Sequence, residues 1–262
     1  MNAPPTIVIE QVSHRYDGRV AVDDLSLSVS AGEIFALLGP NGSGKTTLFR
    51  LLATLIPIQE GKIAIAGCML PQQAAELRRL LGVVFQAPSI DKKLTVGENL
   101  QYHGRLYGLS GATLAERRDE ALATVGLADR TGDLVETLSG GMRRRVELAK
   151  SLLHEPTVLL MDEPSTGLDP GARIDLWRHL ENLRSERNVT ILLTTHLLEE
   201  AERADRIAIM DRGKIAALGA PATLRASVGG DAITIKTAEP DSLAEAIRSD
   251  LKLQAGVVDC GV

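Results

Sequence analysis

Ile34-Phe35-Ala36-Leu37-Leu38-Gly39-Pro40-Asn41-Gly42-Ser43-Gly44-Lys45-Thr46-Thr47 runs from an unbroken apolar stretch straight into a glycine-rich loop. The apolar part lacks polar alternation, so it reads as a strand buried on both faces. Gly39 to Thr46 fits the pattern G-x-x-x-x-G-K-[ST], the Walker A loop. The glycines let the backbone wrap so that its N–H groups point at phosphate oxygens. A helix opening near Gly44 adds the positive end of its dipole. In this reading Lys45 reaches the β- and γ-phosphates, the Thr46 hydroxyl ligates Mg²⁺, and Thr47 donates to the α-phosphate. A glycine turn ahead of a helix is the plainer alternative. A strand before the loop and a helix after it favour phosphate binding.

Three further apolar runs have the same character: Val83 to Phe85, Val158 to Met161 and Ile191 to Leu193. Between them lie stretches with helical spacing, Met142, Val146, Ala149 and Leu153 in one, Leu176, Leu180 and Leu183 in another. Buried strands separated by helices predict a largely parallel sheet covered by helices. Ile7 to Val12 and Leu25 to Val29 alternate more and read as antiparallel strands flanking that sheet. From about Pro88 to His154 no convincing strand appears, which predicts an inserted helical subdomain. The whole is read as α/β, a P-loop core with a mainly parallel sheet, an antiparallel β subdomain and that helical insertion. Residues 1–227 form the main domain in this reading, and residues 228–262 a small C-terminal extension. Within the extension, Ile233 to Lys236 reads as a strand, Ser242 to Ser249 as a helix and Val257-Val258 as the start of another strand.

Polar residues stand just past each buried run: Gly39, Gln86, Asp162 with Glu163, and Thr194, Thr195 and His196. Ligands in open parallel sheets bind beyond the carboxyl ends of the strands, so four such ends point to one site. Val158 to Glu163 fits the Walker B pattern. Asp162 would hold Mg²⁺ through its water shell, and Glu163 would polarise an attacking water as general base. Leu138-Ser139-Gly140-Gly141-Met142 precedes an amphipathic helix. Ser139 suits an N-cap, and the glycines expose backbone N–H groups. Arg143, Arg144 and Arg145 then crowd a helix start, where positive charge is disfavoured. Either this is an anion site or the arginines are solvated on a capped surface helix.

Composition sets the outer bounds. The chain has 262 residues, 44% hydrophobic and 24% charged, ordinary for a globular protein. A net charge of −5 lacks the basic excess of a dedicated nucleic-acid binder. The two cysteines, Cys68 and Cys260, lie far apart and outside metal-ligand spacing, as expected in a reduced, cytosolic compartment. No stretch approaches the roughly 18 apolar residues of a membrane span. Met1-Asn2-Ala3-Pro4-Pro5 shows no signal-peptide pattern. Work at a membrane would need another chain to supply the membrane part.

Taken together, the motifs resemble the nucleotide-binding domain of ABC transporters, over about residues 6 to 227. Leu138 to Met142 matches that family's signature, and Ser165-Thr166-Gly167-Leu168-Asp169 resembles its D-loop. Gln86 sits at the Q-loop position and His196 at the switch position. The resemblance implies ATP and Mg²⁺ as ligands. It implies a head-to-tail pair of domains, a homodimer or a pairing with a second ABC ATPase chain. Each ATP then lies between one Walker A loop and the other chain's Ser139, Gly140 and Gly141. It implies that Tyr16 stacks on adenine and that Gln86 touches Mg²⁺ or the attacking water and relays closure to a membrane permease subunit. It further implies that His196 contacts the γ-phosphate and that Asp169 sits at the pair's interface. The implied location is the cytoplasmic face of the cell membrane, with no nucleic-acid partner.

Ser89 to Leu100, and Leu197 to Glu202 followed by Asp205 to Ala208, resemble the daunorubicin-resistance-type, ABC-2 exporter branch, which favours export over uptake. Chromosome and repair ATPases of the superfamily carry a long coiled coil between Walker A and signature. Here about 90 residues separate Lys45 from Leu138, and no sustained heptad is visible. Ribosome-acting relatives usually carry two such domains per chain. An intact Glu163 and His196 argue against a module that binds nucleotide without hydrolysing it.

Overall fold

The computed structural model describes residues 5–227. It opens with strands β1 (Pro5–Tyr16), β2 (Arg19–Ser30) and β3 (Ile34–Leu38), then helix α1 (Lys45–Leu52). Strands β4 (Glu60–Ile65) and β5 (Cys68–Leu70), helix α2 (Ala74–Leu80) and strand β6 (Leu81–Val84) follow. Next come helices α3 (Val96–Leu106), α4 (Gly111–Thr124) and α5 (Gly140–Leu152). The remainder is β7 (Val158–Asp162), α6 (Pro170–Arg187), β8 (Thr190–Thr195), α7 (Leu198–Ala201), β9 (Arg206–Asp211), β10 (Lys214–Gly219) and α8 (Pro221–Ser227).

Two sheets result. The six-stranded sheet has the order β10-β9-β3-β8-β7-β6. Its neighbours are parallel except β10, which runs antiparallel to β9. The four-stranded sheet, β2-β1-β4-β5, is antiparallel throughout. So β1 and β2 pair as antiparallel strands, as expected of an antiparallel β subdomain, in a sheet of their own with β4 and β5. They are also far longer than the alternation implied. Register shifts between Ile9 and Val12, and a left-handed residue at Gln11 (φ 50°), break the period-two pattern midway along β1.

The unbroken apolar runs are explained by two cores that share the central strands. Ile34, Ala36, Leu159, Met161, Ile191 and Leu193 face a core completed by Val146 and Ala149 of α5 and Leu176, Leu180 and Leu183 of α6. Phe35, Leu37, Leu160 and Leu192 face the other, completed by Leu48 and Leu52 of α1 and by Ile7, Ile9 and Val29 of the antiparallel sheet. Alternate residues of one strand thus enter opposite cores, so neither face tolerates a polar residue. Truncating a side chain such as Leu160 to alanine would cost about 2–5 kcal/mol.

Local chemistry fixes the helix starts. The Thr95 hydroxyl and Glu98 form a capping box on α3, and the Ser139 hydroxyl accepts from Met142 N–H at the start of α5. Asp169 Oδ1 accepts from Ala172 N–H at the start of α6, with Pro170 in the first turn. Residues 88–154 hold α3, α4 and α5, two short 3₁₀ turns and one isolated bridge, Thr95 with Leu134. The elements expected within residues 228–262 lie outside the described residues.

Candidate functional site

The carboxyl ends of β3, β6, β7 and β8 come together, as the four polar strand exits required. At β3 the loop is shaped by close packing. A Cβ on Gly39 would stand 2.4 Å from Met210 O and 2.7 Å from Ser43 Oγ. Gly44 has φ 106°, and a Cβ there would stand 2.4 Å from Ala21 O. Only glycine fits both places. Helix α1 starts at Lys45 with no acidic residue in its first turn. Its N-terminal N–H groups therefore face the loop without a competing carboxylate.

Lys45 is 4% exposed, and its ammonium donates to Gly39 O at 2.6 Å and Pro40 O at 3.1 Å. Burial holds its pKa below the usual lysine value, with Glu163 and Asp162 pulling the other way. Ser43 Oγ is buried with no hydrogen-bond partner. The loop thus contains an unsatisfied hydroxyl as well as a cation. A cleft of about 340 Å³ opens here, lined by Tyr16 and Arg19 on one side and Asn41, Gly42, Gly44, Lys45, Thr46 and Thr47 on another, with Glu163. Tyr16 is 41% exposed at the end of β1, and its ring meets His14 edge-on at 4.7 Å. A larger concavity, about 650 Å³, opens at the opposite ends of β7 and β8 beside Thr157 and Thr190 and contains no motif residue. Motif residues line the smaller cleft.

Asp162 ends β7. Thr194, fully buried at the end of β8, donates from its hydroxyl to Asp162 Oδ1 at 2.6 Å and accepts from Glu163 N–H at 2.9 Å. One hydroxyl therefore fixes both acidic residues. Burial raises the Asp162 pKa, while the Thr194 bond opposes the rise, Glu163 adds to it and Lys45 opposes it. Glu163 adopts a left-handed backbone, φ 43°, unusual outside glycine and a mark of strained functional positions. Its Oε2 is the meeting point of the site. Gln86 Nε2 donates to it at 3.2 Å, Thr166 Oγ1 donates at 3.1 Å, and His196 Nδ1 lies 3.3 Å away. Gln86, Glu163 and His196, picked from three different strand exits, are thus in direct contact. Thr194 and Thr166 were missed as functional groups. In the sequence Thr194 is one of the polar residues at a strand exit and Thr166 part of a loop phrase, and neither position announces the bonds it makes.

The stretch Leu138 to Met142 lies apart: none of its residues lines the cleft at Lys45. Gly141 packs α5 against α6, since a Cβ there would stand 2.7 Å from Ala172 Cβ. The three arginines are neither a loose positive patch nor fully solvated. Arg143 donates to Leu138 O, Arg145 to Val125 O, and the buried Arg144 to three separate carbonyls. Among the described residues no group of three or more His, Cys, Asp or Glu could hold a metal unaided.

Comparison with known proteins settles the family. Residues 22–166 match the family described as "ABC transporter". This chain belongs to the ABC transporter family. It is therefore an ATP-binding chain and an ATPase. It is 40% identical over 246 residues to the daunorubicin resistance ATP-binding protein DrrA3 of Streptomyces coeruleorubidus, covering 94% of this chain and 78% of that protein. It is 39% identical over 252 residues to the Nod factor export ATP-binding protein I of Rhizobium johnstonii, covering 95% and 81%. A bacterial ABC transporter cassette solved as a dimer superposes with a TM-score of 0.74 at 25% identity, over 82% of this chain and 98% of that one. No helix among the described residues of this ABC chain is long and apolar enough to cross a membrane.

Proposed function

We propose that this chain is the ATP-hydrolysing subunit of an exporter, bound at the cytoplasmic face of the cell membrane to a separate permease. The observation that carries the mechanism is the convergence of Gln86, Thr166 and His196 on the Glu163 carboxylate beside the Lys45 loop. A water held against Glu163 stands where a γ-phosphate cradled by Gly39 to Thr46 would be attacked. Glu163 takes the proton, and the three contacts fix its carboxylate. His196 contacts the γ-phosphate and helps position Glu163. Tyr16, exposed at the cleft's edge, stacks on the adenine.

Mg²⁺ fits the donors present. Thr46 offers a hydroxyl at the cleft and Asp162 a buried carboxylate, and Gln86, which touches Glu163, offers an amide oxygen. Too few protein ligands converge to bind a cation alone, as expected of a metal that shares its coordination with phosphates. The ion would neutralise phosphate charge during transfer.

The cleft lacks Leu138 to Met142, so Ser139, Gly140 and Gly141 complete a site on another chain. ATP is then held between two copies, or between this chain and a second ABC ATPase, with Asp169 at their interface. Export is supported by the relatives, an antibiotic-resistance protein and a Nod factor export protein.

The test compares Glu163→Gln with Lys45→Ala in ATP binding and phosphate release. Glu163→Gln should keep ATP and lose about 10²–10⁴ in rate, since an amide accepts no proton. Lys45→Ala should lose both. Hydrolysis by Glu163→Gln at the wild-type rate would refute the assignment of the base.

A further inference from the structure

Arg144 lies in the first turns of α5, yet its side chain turns into the protein and is 8% exposed. The guanidinium makes three bonds, all to backbone carbonyls. Nη1 donates to Phe85 O at 2.6 Å, Nε to Pro164 O at 2.7 Å and Nη2 to Asp162 O at 3.3 Å. Phe85 immediately precedes Gln86, and Asp162 and Pro164 flank Glu163. One planar group thus pins the chain on both sides of the base and just ahead of the glutamine that touches it.

Two more residues of α5 hold the far side of Gln86. Glu147 accepts from Ser89 N–H at 2.5 Å and from Ser89 Oγ at 2.9 Å, and Lys150 Nζ donates to Ser89 O at 2.9 Å. Gln86 is therefore bracketed by two anchor points on the same helix. Glu163 needs support from outside, because its φ of 43° is one that side-chain-bearing residues rarely adopt.

Stability alone is a poor reason for such a residue. A buried cation whose partners are neutral carbonyls loses its hydration without gaining a full counter-charge. Burial lowers the Arg144 pKa to about 10, with Glu147 and Asp162 opposing the fall. An apolar side chain of similar length would fill the space without that cost. What it could not do is hold three carbonyls in one plane, the task to which a guanidinium fork is suited.

We propose that Arg144 is a positioning residue for hydrolysis. It sets Glu163 and Gln86 relative to α5, so that engagement of α5 with a partner's nucleotide is passed to the chain's own base. This rests on the reading of Glu163 as base and of Ser139 to Gly141 as a trans element. It predicts a loss in turnover that does not follow from weaker ATP binding.

The test uses the full chain as wild type, Arg144→Lys and Arg144→Met. Steady-state ATPase, equilibrium ATP binding and thermal unfolding are measured in parallel. Arg144→Lys keeps the charge and the stem but replaces the fork with a single ammonium. Both variants should lose about tenfold to a hundredfold in kcat, the scale of a small misplacement of catalytic groups. KM and ATP affinity should stay within about threefold, since the Lys45 loop is untouched. A folded Arg144→Lys with kcat within about twofold of wild type would overturn the proposal. So would a loss wholly accounted for by unfolding at the assay temperature, which would make Arg144 a fold-holding residue. Failure of the underlying reading would show elsewhere, as unimpaired hydrolysis by Glu163→Gln.

Discussion

Thr194 shows most sharply what single residues contribute. Its hydroxyl donates to Asp162 and accepts from Glu163 N–H, inside the protein and away from water. Thr194→Val keeps the shape and leaves both partners unpaired. It should lower stability by about 1–3 kcal/mol, the usual cost of stranding a buried polar group. It should also lower turnover, because the strained backbone at Glu163 loses a support. Urea unfolding and phosphate release would check the two effects, and an unchanged unfolding midpoint would contradict the first. The sequence disclosed the Lys45 loop, Asp162, Glu163, Gln86 and His196 because each sits in a short phrase or just past an apolar run. Thr194, Thr166 and Arg144 could be singled out by position but not by role. Their roles lie in bonds to distant segments: Thr194 reaches back to Asp162 and Arg144 to Phe85. Nothing in their own neighbourhoods marks such bonds.

Among elements, β3, β7 and β8 were legible because both of their faces are buried, which leaves an unbroken apolar run; β6 lies at the sheet's edge, and the run Val83 to Phe85 overlaps only its last two residues. Helices α5 and α6 were legible from apolar spacing and from Ser139 at the cap. Strands β4, β5, β9 and β10 were not. Strand β5 has three residues, and β10 alternates half-buried with exposed positions. The tight turns that join β1 to β2, β4 to β5 and β9 to β10 are Asp17-Gly18, Ala66-Gly67 and Arg212-Gly213, all with positive φ. Asp-Gly is a strong hairpin signal and was open to reading; the other two dipeptides lack the Asn or Asp that announces such a turn.

Helix α3 carries a pH dependence of its own. His103 is held to a pKa of about 4, below its ordinary 6.5, chiefly by burial and further by Lys150 and His154. Between those values the unfolded chain takes up a proton that the folded chain refuses. The His103 contribution to stability is therefore intact above about pH 6.5 and lost as pH falls toward 4. His103→Gln should flatten that part of the profile. Urea midpoints measured at steps from pH 7 to 4.5 would check this, and parallel wild-type and variant profiles would contradict it.

At the scale of the whole molecule, the proposed ATP site is a split one, with the Lys45 loop and the stretch Leu138 to Met142 lying apart. The Lys45 cleft is lined without any residue of Leu138 to Met142. The family resemblance implies this separation, and the cleft's lining agrees with it; spacing along the sequence alone does not show it. ATP should therefore join two chains, each nucleotide bridging a loop and a facing helix start. Glu163→Gln, which binds without turnover, should shift from monomer to dimer on addition of ATP in light scattering. Adding Gly141→Asp should abolish the shift, by placing a carboxylate where phosphate belongs and by crowding Ala172.

The most direct measurement mixes two inactive proteins, Lys45→Ala and Gly141→Asp, carrying distinct tags. ATP-dependent capture of one tag by the other establishes that mixed dimers form, and phosphate release is read on the same samples. In a mixed dimer one site combines both lesions, while the other pairs an intact Lys45 loop with an intact signature. The account predicts that mixing restores ATP hydrolysis which neither protein shows alone. Mixed dimers that form readily and release no phosphate would contradict a trans site that works independently.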